Sequence, residues 1–249
     1  MAKIYGILGD IHANIDAMSV VLDDAAAQGV TDWICTGDVV GYNACPSECI
    51  RLVRDELKAP VVCGNHDYYV AFEQNLADFH PAAAQAVLWT REHITGEDMD
   101  WLRSLPMTRP VMGMTLVHAT MDMPDHWGYI FDDFQAASHF VYQKTPVCFH
   151  GHTHVPVVYE QTPFGAVHYD PRTFENGEFK LNIGKKYFIN VGSVGQPRDG
   201  DSRASYVVFD SGSRTLRFRR VAYDVARAQA RDRAAGLPER CAQRLETGN

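Results

Sequence analysis

The segment Lys3-Ile-Tyr-Gly-Ile-Leu-Gly-Asp-Ile-His-Ala-Asn14 is an apolar run that ends in a polar cluster, and it decides the fold. Residues 3–9 are typical of a buried strand, and Asn14 can cap the helix that follows. The alternation continues with a helix predicted at 15–28, a strand at 32–36, a helix at 46–58 and a strand at 61–63. Strands that alternate with helices in this way predict right-handed βαβ units and a parallel sheet.

The pattern changes after residue 66. Helical patterns dominate 67–105, whereas the sequence from 147 to 223 is mostly strand-like. The predicted elements are helices at 81–93, after Thr95 and at 224–235, and strands at 112–118, 147–150, 155–160, 165–170, 178–183, 186–191, 205–210 and 214–223. The dipeptide Asn176-Gly177 is a strong hairpin signal between two of these strands. The residues beyond Gly236 are polar, so we expect a mobile tail there.

The length of 249 residues favours one domain with insertions. We place this domain at 1–223, with helical insertions at 67–106 and 119–147 that can form a lid. A C-terminal helix and polar tail would then occupy 224–249. Apolar residues make up 46% of the chain and charged residues 22%, which excludes disorder over most of its length.

The charge balance excludes general nucleic-acid binding, because 23 Lys and Arg face 31 Asp and Glu, a net charge of −8. A nuclease would need a basic groove, so that alternative is disfavoured. No apolar stretch approaches the length of a membrane span, and no signal peptide is visible. Three of the six cysteines lie in apolar runs, and the isolated Cys45-x3-Cys49 pair is weak evidence for zinc. We therefore expect a cytoplasmic protein with reduced cysteines.

Five polar clusters fall where predicted strands end. They are Asp10-Ile11-His12, Gly37-Asp38-Val39-Val40-Gly41, Gly64-Asn65-His66-Asp67, His118, and Gly151-His152-Thr153-His154. In open α/β folds, ligand sites collect at the carboxyl ends of the strands. The first three clusters are each one βαβ unit apart, so we expect them to meet in one site. A second sheet can deliver the last two clusters to the same edge.

The residue types in these clusters are typical of a two-metal centre. Imidazole, carboxylate and amide oxygen suit Mn, Fe, Zn or Co better than Mg alone. A carboxylate that bridges two such cations can hold a hydroxide ready for in-line attack on phosphorus. Each cluster alone has a simpler interpretation, such as a capped turn at Asp10 or a half-buried histidine at His118. The complete set, in order and at strand ends, indicates the metal site.

With these five motifs in place, the sequence resembles the calcineurin-like metallophosphoesterases of the compact bacterial type, over about residues 3–210. The resemblance implies an α/β fold, an αββα sandwich of two mixed sheets flanked by helices. It also implies two divalent metals, one held by Asp10, His12 and His154, the other by Asn65, His118 and His152, with Asp38 bridging both. His66 would be a histidine that is not a ligand, stabilises the transition state and protonates the leaving oxygen.

One departure from the family pattern bears on the substrate. Protein phosphatases of the family carry an Asp-Arg pair after the Gly-Asp motif, whereas Gly41-Tyr42 stands here, which argues against a phosphoprotein substrate. This leaves Asp67 as the candidate that orients His66. Arg198, in a segment similar to the closing turn of the family, is the candidate phosphate-binding cation, with a solvated turn arginine as the alternative.

The resemblance implies a phosphoric ester hydrolase that acts by metal-hydroxide attack. We expect small phosphodiesters or nucleotide anhydrides, such as dinucleoside polyphosphates, because the two insertions can narrow the mouth of the site. His126, Trp127 and Tyr129 in the second insertion can rim this mouth. The alternatives are a phosphomonoesterase or phosphoprotein phosphatase on the same site, or a non-catalytic scaffold. The insertions could instead form dimer contacts, which leaves a homo-oligomer open.

Overall fold

Strand β1 (Ile4–Leu8) opens a set of eleven strands in the part of the chain that the computed structural model describes, residues 2–77 and 79–249. The other strands are β2 (Asp32–Cys35), β3 (Thr108–Val111), β4 (Met114–Val117), β5 (Val147–His150), β6 (Val157–Thr162), β7 (Gly165–Tyr169), β8 (Glu178–Lys180), β9 (Tyr187–Asn190), β10 (Ala204–Asp210) and β11 (Thr215–Val221). They form two sheets, one with the order β2-β1-β10-β11-β8 and one with the order β3-β4-β5-β9-β6-β7.

The helices are α1 (Ile15–Ala27), α2 (Pro46–Arg51), α3 (Asn65–Ala71), α4 (Pro81–His93), α5 (Gly96–Arg103), α6 (Asp133–Phe140), α7 (Val225–Ala234) and α8 (Glu239–Thr247). Helix α1 begins where predicted, because the Asn14 side chain accepts a hydrogen bond from the amide of Ala17 at 3.0 Å. In the described ranges, none of the helices has both the length and the apolar character that a bilayer crossing requires.

Both sheets are mixed, with parallel pairs at β1–β2, β4–β5 and β5–β9 and antiparallel pairs elsewhere. The predicted βαβ unit is therefore confirmed for β1-α1-β2, but a single parallel sheet is not formed. The turn at residues 211–213 joins β10 and β11 as an antiparallel hairpin.

The inner faces of the two sheets pack against each other. Ile7 and Val207 of the first sheet share a buried cluster with Leu116, Phe149 and Ile189 of the second. Fully burying one such side chain contributes about 1.5–3 kcal/mol. Helices cover the outer faces, with α1 on the first sheet and α6 on the second. The predicted αββα sandwich is confirmed.

Four local predictions were wrong. Residues 61–63 make only one bridge, between Val61 and Cys35, since the segment turns at Gly64. The helix predicted at 46–58 changes to π-helical geometry over Leu52–Glu56. Strand β3 was missed. Asn176-Gly177 does not join a hairpin, because β7 and β8 belong to different sheets and the segment crosses between them.

The predicted mobile tail is the ordered helix α8. Most residues of α8 are polar, but the helix has a short apolar face, in which Cys241, Ala242 and Leu245 are buried. The face packs against α7, where the Gln229 side chain donates a hydrogen bond to the Ala242 carbonyl at 3.0 Å. Cys241 also joins a buried cluster with Tyr42. All six cysteines are buried and unpaired.

Candidate metal centre

All seven predicted metal ligands converge at one edge of the sandwich. Strands β1, β2, β4 and β5 end just before Asp10, Asp38, His118 and the His152–His154 turn, and Asn65 begins α3. Two glycines permit the close approach. A Cβ on Gly64 would lie 2.1 Å from Asp38 Oδ1, and one on Gly151 would lie 2.1 Å from Asp10 Oδ2. Larger residues at these positions would displace the carboxylates.

Backbone strain is concentrated at the same residues. The positive φ angles are 50° at Asp10, 49° at His12, 54° at Asp38, 69° at His152 and 61° at His154. Each such conformation costs on the order of 1–3 kcal/mol outside glycine and persists only where the surroundings hold it. This concentration at one edge indicates a functional site.

One group consists of Asp10, His12, Asp38 and His154, whose potential ligand atoms all lie within 4.8 Å of one another. His154 Nε2 lies 3.1 Å from Asp10 Oδ1 and 3.1 Å from His12 Nε2. His12 Nε2 lies 3.6 Å from Asp38 Oδ2. All four side chains are buried.

A second group surrounds the amide oxygen of Asn65. Asn65 Oδ1 lies 2.9 Å from His152 Nδ1 and 3.1 Å from His118 Nε2. His118 Nε2 is also 3.4 Å from Asp38 Oδ2. The same carboxylate oxygen therefore faces both groups, as the resemblance implies for a bridging residue.

The outer nitrogen of each imidazole faces a backbone carbonyl. His12 Nδ1 lies 3.0 Å from the Val40 oxygen, and His118 Nδ1 lies 2.8 Å from the Thr36 oxygen. His152 and His154 have the same arrangement with the carbonyls of Trp127 and Gln196. A carbonyl can only accept, so each outer nitrogen donates and the inner nitrogen presents a lone pair.

The donor set therefore fits cations. The lone pairs of His12 and His154 face each other at 3.1 Å, and Asn65 Oδ1 faces two further lone pairs. Acceptors that face acceptors in a buried site repel one another unless a cation lies between them. Imidazole nitrogen with carboxylate oxygen is the combination that first-row divalent metals prefer. The residues present thus fit a metal centre.

The charges in the site support the same conclusion. Burial lowers the pKa of His12 and of His152 well below the usual histidine value, which keeps both neutral and able to bind metal. Burial also opposes a charge on His118, but the Asp38 carboxylate outweighs burial and raises this pKa to about 9. A cation beside Asp38 would take the place of that proton.

His66 lies beside the two groups rather than in them. Its ring packs 4.3 Å from Tyr42 and 4.9 Å from His12, and burial lowers its pKa to about 4. Nδ1 of His66 is buried without a hydrogen-bond partner in the described residues. The side chain lines the cleft above the metal groups, where a residue acting on substrate would lie.

The prediction that Asp67 orients His66 was wrong. The Asp67 carboxylate instead accepts hydrogen bonds from the amides of Asp38, Val39, Val40 and Gly64 at 2.8–3.2 Å. Burial and the charge of Asp38 raise the pKa of Asp67 to about 7. Asp67 therefore positions the loop that carries Asp38.

Arg198 lies in the cleft, not on a solvated turn. Its guanidinium donates to the Tyr42 hydroxyl and to Gln196 Oε1, both at 3.2 Å, and lies 5.7 Å from the centre of the Tyr42 ring. Arg198 Nε is buried without a partner in the described residues.

The cleft over the metal groups has a volume of about 550 Å³. The second insertion contributes His126, Trp127 and Tyr129 to its walls, as predicted, and the first insertion contributes Phe79 and His80. Helix α8 adds Arg240 and Arg244, which were not predicted as site residues because a mobile tail was expected there. The one sequence signal that this segment is a docked helix was its apolar face, at Cys241, Ala242 and Leu245.

Comparison with known proteins agrees with this geometry. The model of the calcineurin-like phosphoesterase superfamily domain matches residues 4–214. An uncharacterized protein of Methanocaldococcus jannaschii is 37% identical over 246 residues, which is 97% of each chain. The crystal structure of a metallophosphoesterase from Sphaerobacter thermophilus is 38% identical, covers both chains fully and superimposes with a TM-score of 0.88.

The chain therefore belongs to the calcineurin-like phosphoesterase superfamily, whose members are metal-dependent. A more distant relative is a symmetrical bis(5'-nucleosyl)-tetraphosphatase of Actinobacillus pleuropneumoniae. It is 29% identical over 119 residues, which is 45% of this chain and 43% of the relative. Membership of the superfamily implies phosphoester hydrolase activity.

Proposed function

We propose that this protein hydrolyses small phosphodiesters or nucleotide anhydrides with two divalent cations. The observation that carries the proposal is the pair of buried acceptor groups that share Asp38 Oδ2, at 3.6 Å from His12 Nε2 and 3.4 Å from His118 Nε2. The first group would hold one cation through Asp10, His12 and His154, and the second would hold another through Asn65, His118 and His152. When bound, such cations polarise phosphoryl oxygens and activate water.

His66 would supply the proton to the leaving oxygen. Burial holds its pKa near 4, so this role requires that the negative charge of the bound phosphoryl group raise that pKa. His66 lines the cleft beside both groups without belonging to either. Its backbone amide donates to Asp38 Oδ1 at 2.8 Å, so the bridging carboxylate and the proton donor are held together. Tyr42 packs on the ring and limits its rotation. A donor in this position assists most when the leaving group is a poor alkoxide such as a ribose oxygen.

Arg198 binds a phosphoryl oxygen. Its side chain lines the cleft, and its contacts with Tyr42 and Gln196 hold the guanidinium plane in place. A planar guanidinium can donate two parallel hydrogen bonds to a phosphate. Holding the phosphate against the metal groups is the role that this placement supports.

The walls of the cleft favour a small substrate. Aromatic side chains from two insertions, Phe79, Trp127 and Tyr129, surround the metal groups in a cleft of about 550 Å³. This size suits a nucleotide better than a folded protein surface. The similarity to a bis(5'-nucleosyl)-tetraphosphatase over nearly half of the chain is a second reason to propose nucleotide anhydrides.

The test is an activity panel on the purified full chain. Bis-nitrophenyl phosphate, a nitrophenyl monoester, dinucleoside polyphosphates and a phosphopeptide are compared by kcat/KM in the presence of Mn, Fe, Zn, Co, Ni or Mg. We expect the diester or the polyphosphates to lead. A tenfold preference for the monoester or phosphopeptide would favour the phosphatase alternative. Metal-loaded protein that hydrolyses none of them would favour a non-catalytic scaffold.

A further inference from the structure

Helix α8 places two arginines at the mouth of the cleft, outside the part of the chain that matches the family domain. Arg240 and Arg244 line the same cleft as Asp38, His66 and Arg198. The two are four residues apart on one helix, so their side chains lie on the same face, with about 5–6 Å between the Cβ atoms. They can therefore reach two neighbouring groups of a single ligand.

The two arginines of α8 and Arg198 share one feature: across residues 2–77 and 79–249, no acidic side chain forms an ion pair with them. Most other arginines of the chain are paired, as Arg220 is with Asp199 and Arg203 with Asp201. Arg244 donates only to the backbone oxygen of Asn249. Burial and the nearby charges of Arg198 and Arg240 lower the pKa of Arg244.

The helix that carries them is fixed to the metal-binding loops. Cys241 and Leu237 share a buried cluster with Tyr42, whose ring packs on both His12 and His66. At the end of α8, the amide of Gly200 donates to the Gly248 oxygen at 2.9 Å, which ties the helix to the loop after Arg198. These contacts hold the two arginines at a fixed position relative to the candidate metal centre.

Three arginines at one cleft repel one another, and a bound polyanion would relieve that repulsion. A simple phosphodiester carries one negative charge, which the metal groups and Arg198 already meet. A chain of phosphates carries a further charge on each phosphoryl group, and the additional charges would meet Arg240 and Arg244. The arrangement therefore selects between the two substrate classes of the proposed function.

We propose that Arg240 and Arg244 form a binding subsite for the distal phosphates of a nucleoside polyphosphate, so that α8 determines specificity for anhydrides over simple diesters. This inference rests on the proposed function for its catalytic consequence, but the binding itself can be measured separately. Arg198 holds the phosphate nearest the metals, and the two arginines of α8 hold the next ones.

The experiment compares the full-chain protein with the double variant Arg240→Ala/Arg244→Ala. A matched control, Arg51→Ala/Arg172→Ala, removes two exposed arginines that do not line the cleft. Isothermal titration calorimetry measures binding of a methylene-bridged dinucleoside polyphosphate, which resists hydrolysis, and of adenosine monophosphate. We expect the double variant to bind the polyphosphate at least tenfold more weakly, about 1.4 kcal/mol, with a loss for the monophosphate below threefold. The control should keep both affinities within twofold.

A second measurement is the ratio of kcat/KM for a dinucleoside polyphosphate to that for bis-nitrophenyl phosphate, which should fall at least tenfold in the double variant. The variant Arg240→Lys/Arg244→Lys should recover most of this ratio, and circular dichroism shows whether α8 is retained. Equal losses for both ligands, or no loss, would overturn the subsite. Absence of hydrolysis by the wild type would instead refute the proposed function, while the calorimetric comparison would still decide the subsite.

Discussion

The floor and the rim of the cleft are built in different ways. The floor consists of the seven candidate ligands, of which six are buried and Asn65 is half-buried. Several have a strained backbone, and each imidazole faces a carbonyl. The rim consists of aromatic and basic side chains from two insertions and the C-terminal helix. The floor is over-determined because metal ligands must be placed within fractions of an ångström. The rim only has to exclude ligands that are too large or attract ligands of opposite charge, so its residues can come from elements distant in sequence.

The difference predicts that changes in the floor abolish chemistry, whereas changes in the rim alter selectivity or stability. The variant Asp38→Asn should have the largest effect, because the lost charge serves both acceptor groups. We expect less than one divalent ion per chain and a fall in kcat of about 10⁴-fold, roughly 5.5 kcal/mol. Inductively coupled plasma mass spectrometry measures the metal content, and turnover of bis-nitrophenyl phosphate measures kcat. Two ions retained at full occupancy would show that Asp38 does not bridge.

The variant His66→Asn tests whether His66 is a proton donor or a metal ligand. Because His66 lies outside both groups, the metal content should be unchanged while kcat falls about 10³-fold for a poor leaving group. The loss should be smaller for nitrophenolate, which leaves without a proton. If the variant loses a metal, His66 belongs to the floor as a ligand.

A change beneath the rim should affect stability and selectivity but not the metals. Leu245 lies on the buried face of α8. The variant Leu245→Ala should lower the free energy of unfolding by about 3 kcal/mol, because it leaves a cavity. Urea denaturation measures the loss. The metal content should remain that of the wild type, and a fall in it would show that floor and rim do not act separately.

The smallest effect concerns Asp232, a buried carboxylate on α7. Burial raises its pKa from 3.8 to about 7, the charge of Asp16 adds to the rise, and the Ala44 amide and Arg233 oppose it. The folded state therefore resists ionisation, so stability falls as the pH rises from about 4 through 7.

Between pH 5 and pH 8, this one group should cost the wild type about 2–3 kcal/mol. Asp232→Asn should remove that part of the pH dependence, and the difference between the urea denaturation curves of the two proteins at each pH isolates it. Parallel pH profiles would contradict the assignment.

The floor could be predicted from the sequence because six of the seven candidate ligands follow strand ends, and Asn65 follows an apolar run that pairs through a single bridge. Asp10, Asp38 and His118 each follow an apolar run, and strand ends in such folds meet at one edge. The role of Asp67 could not be predicted, since the residue next to a catalytic candidate need not contact it. In the structure its carboxylate turns to the amides of residues 38–40 instead.

The rim could be predicted only in part. Trp127 and Tyr129 were expected there because their segment leaves from a ligand strand. Arg240 and Arg244 were not, because their helix is short and polar and gains its stability from packing on α7 and Tyr42. Helices of this length are marginal without tertiary contacts, so the short apolar face at Cys241, Ala242 and Leu245 did not suffice to distinguish α8 from a mobile tail.

The sequence by itself determined the alternation of strands and helices, the seven candidate ligand residues and the resemblance to the superfamily, since these depend on local periodicity and on motifs at strand ends. Only the tertiary structure decided which strands pair within each sheet, that β7 and β8 separate across a hairpin signal, and that α8 adds two arginines to the cleft. The physical reason is that strand pairing and helix docking depend on which distant apolar faces find each other, and that choice is made by packing rather than by neighbours along the chain.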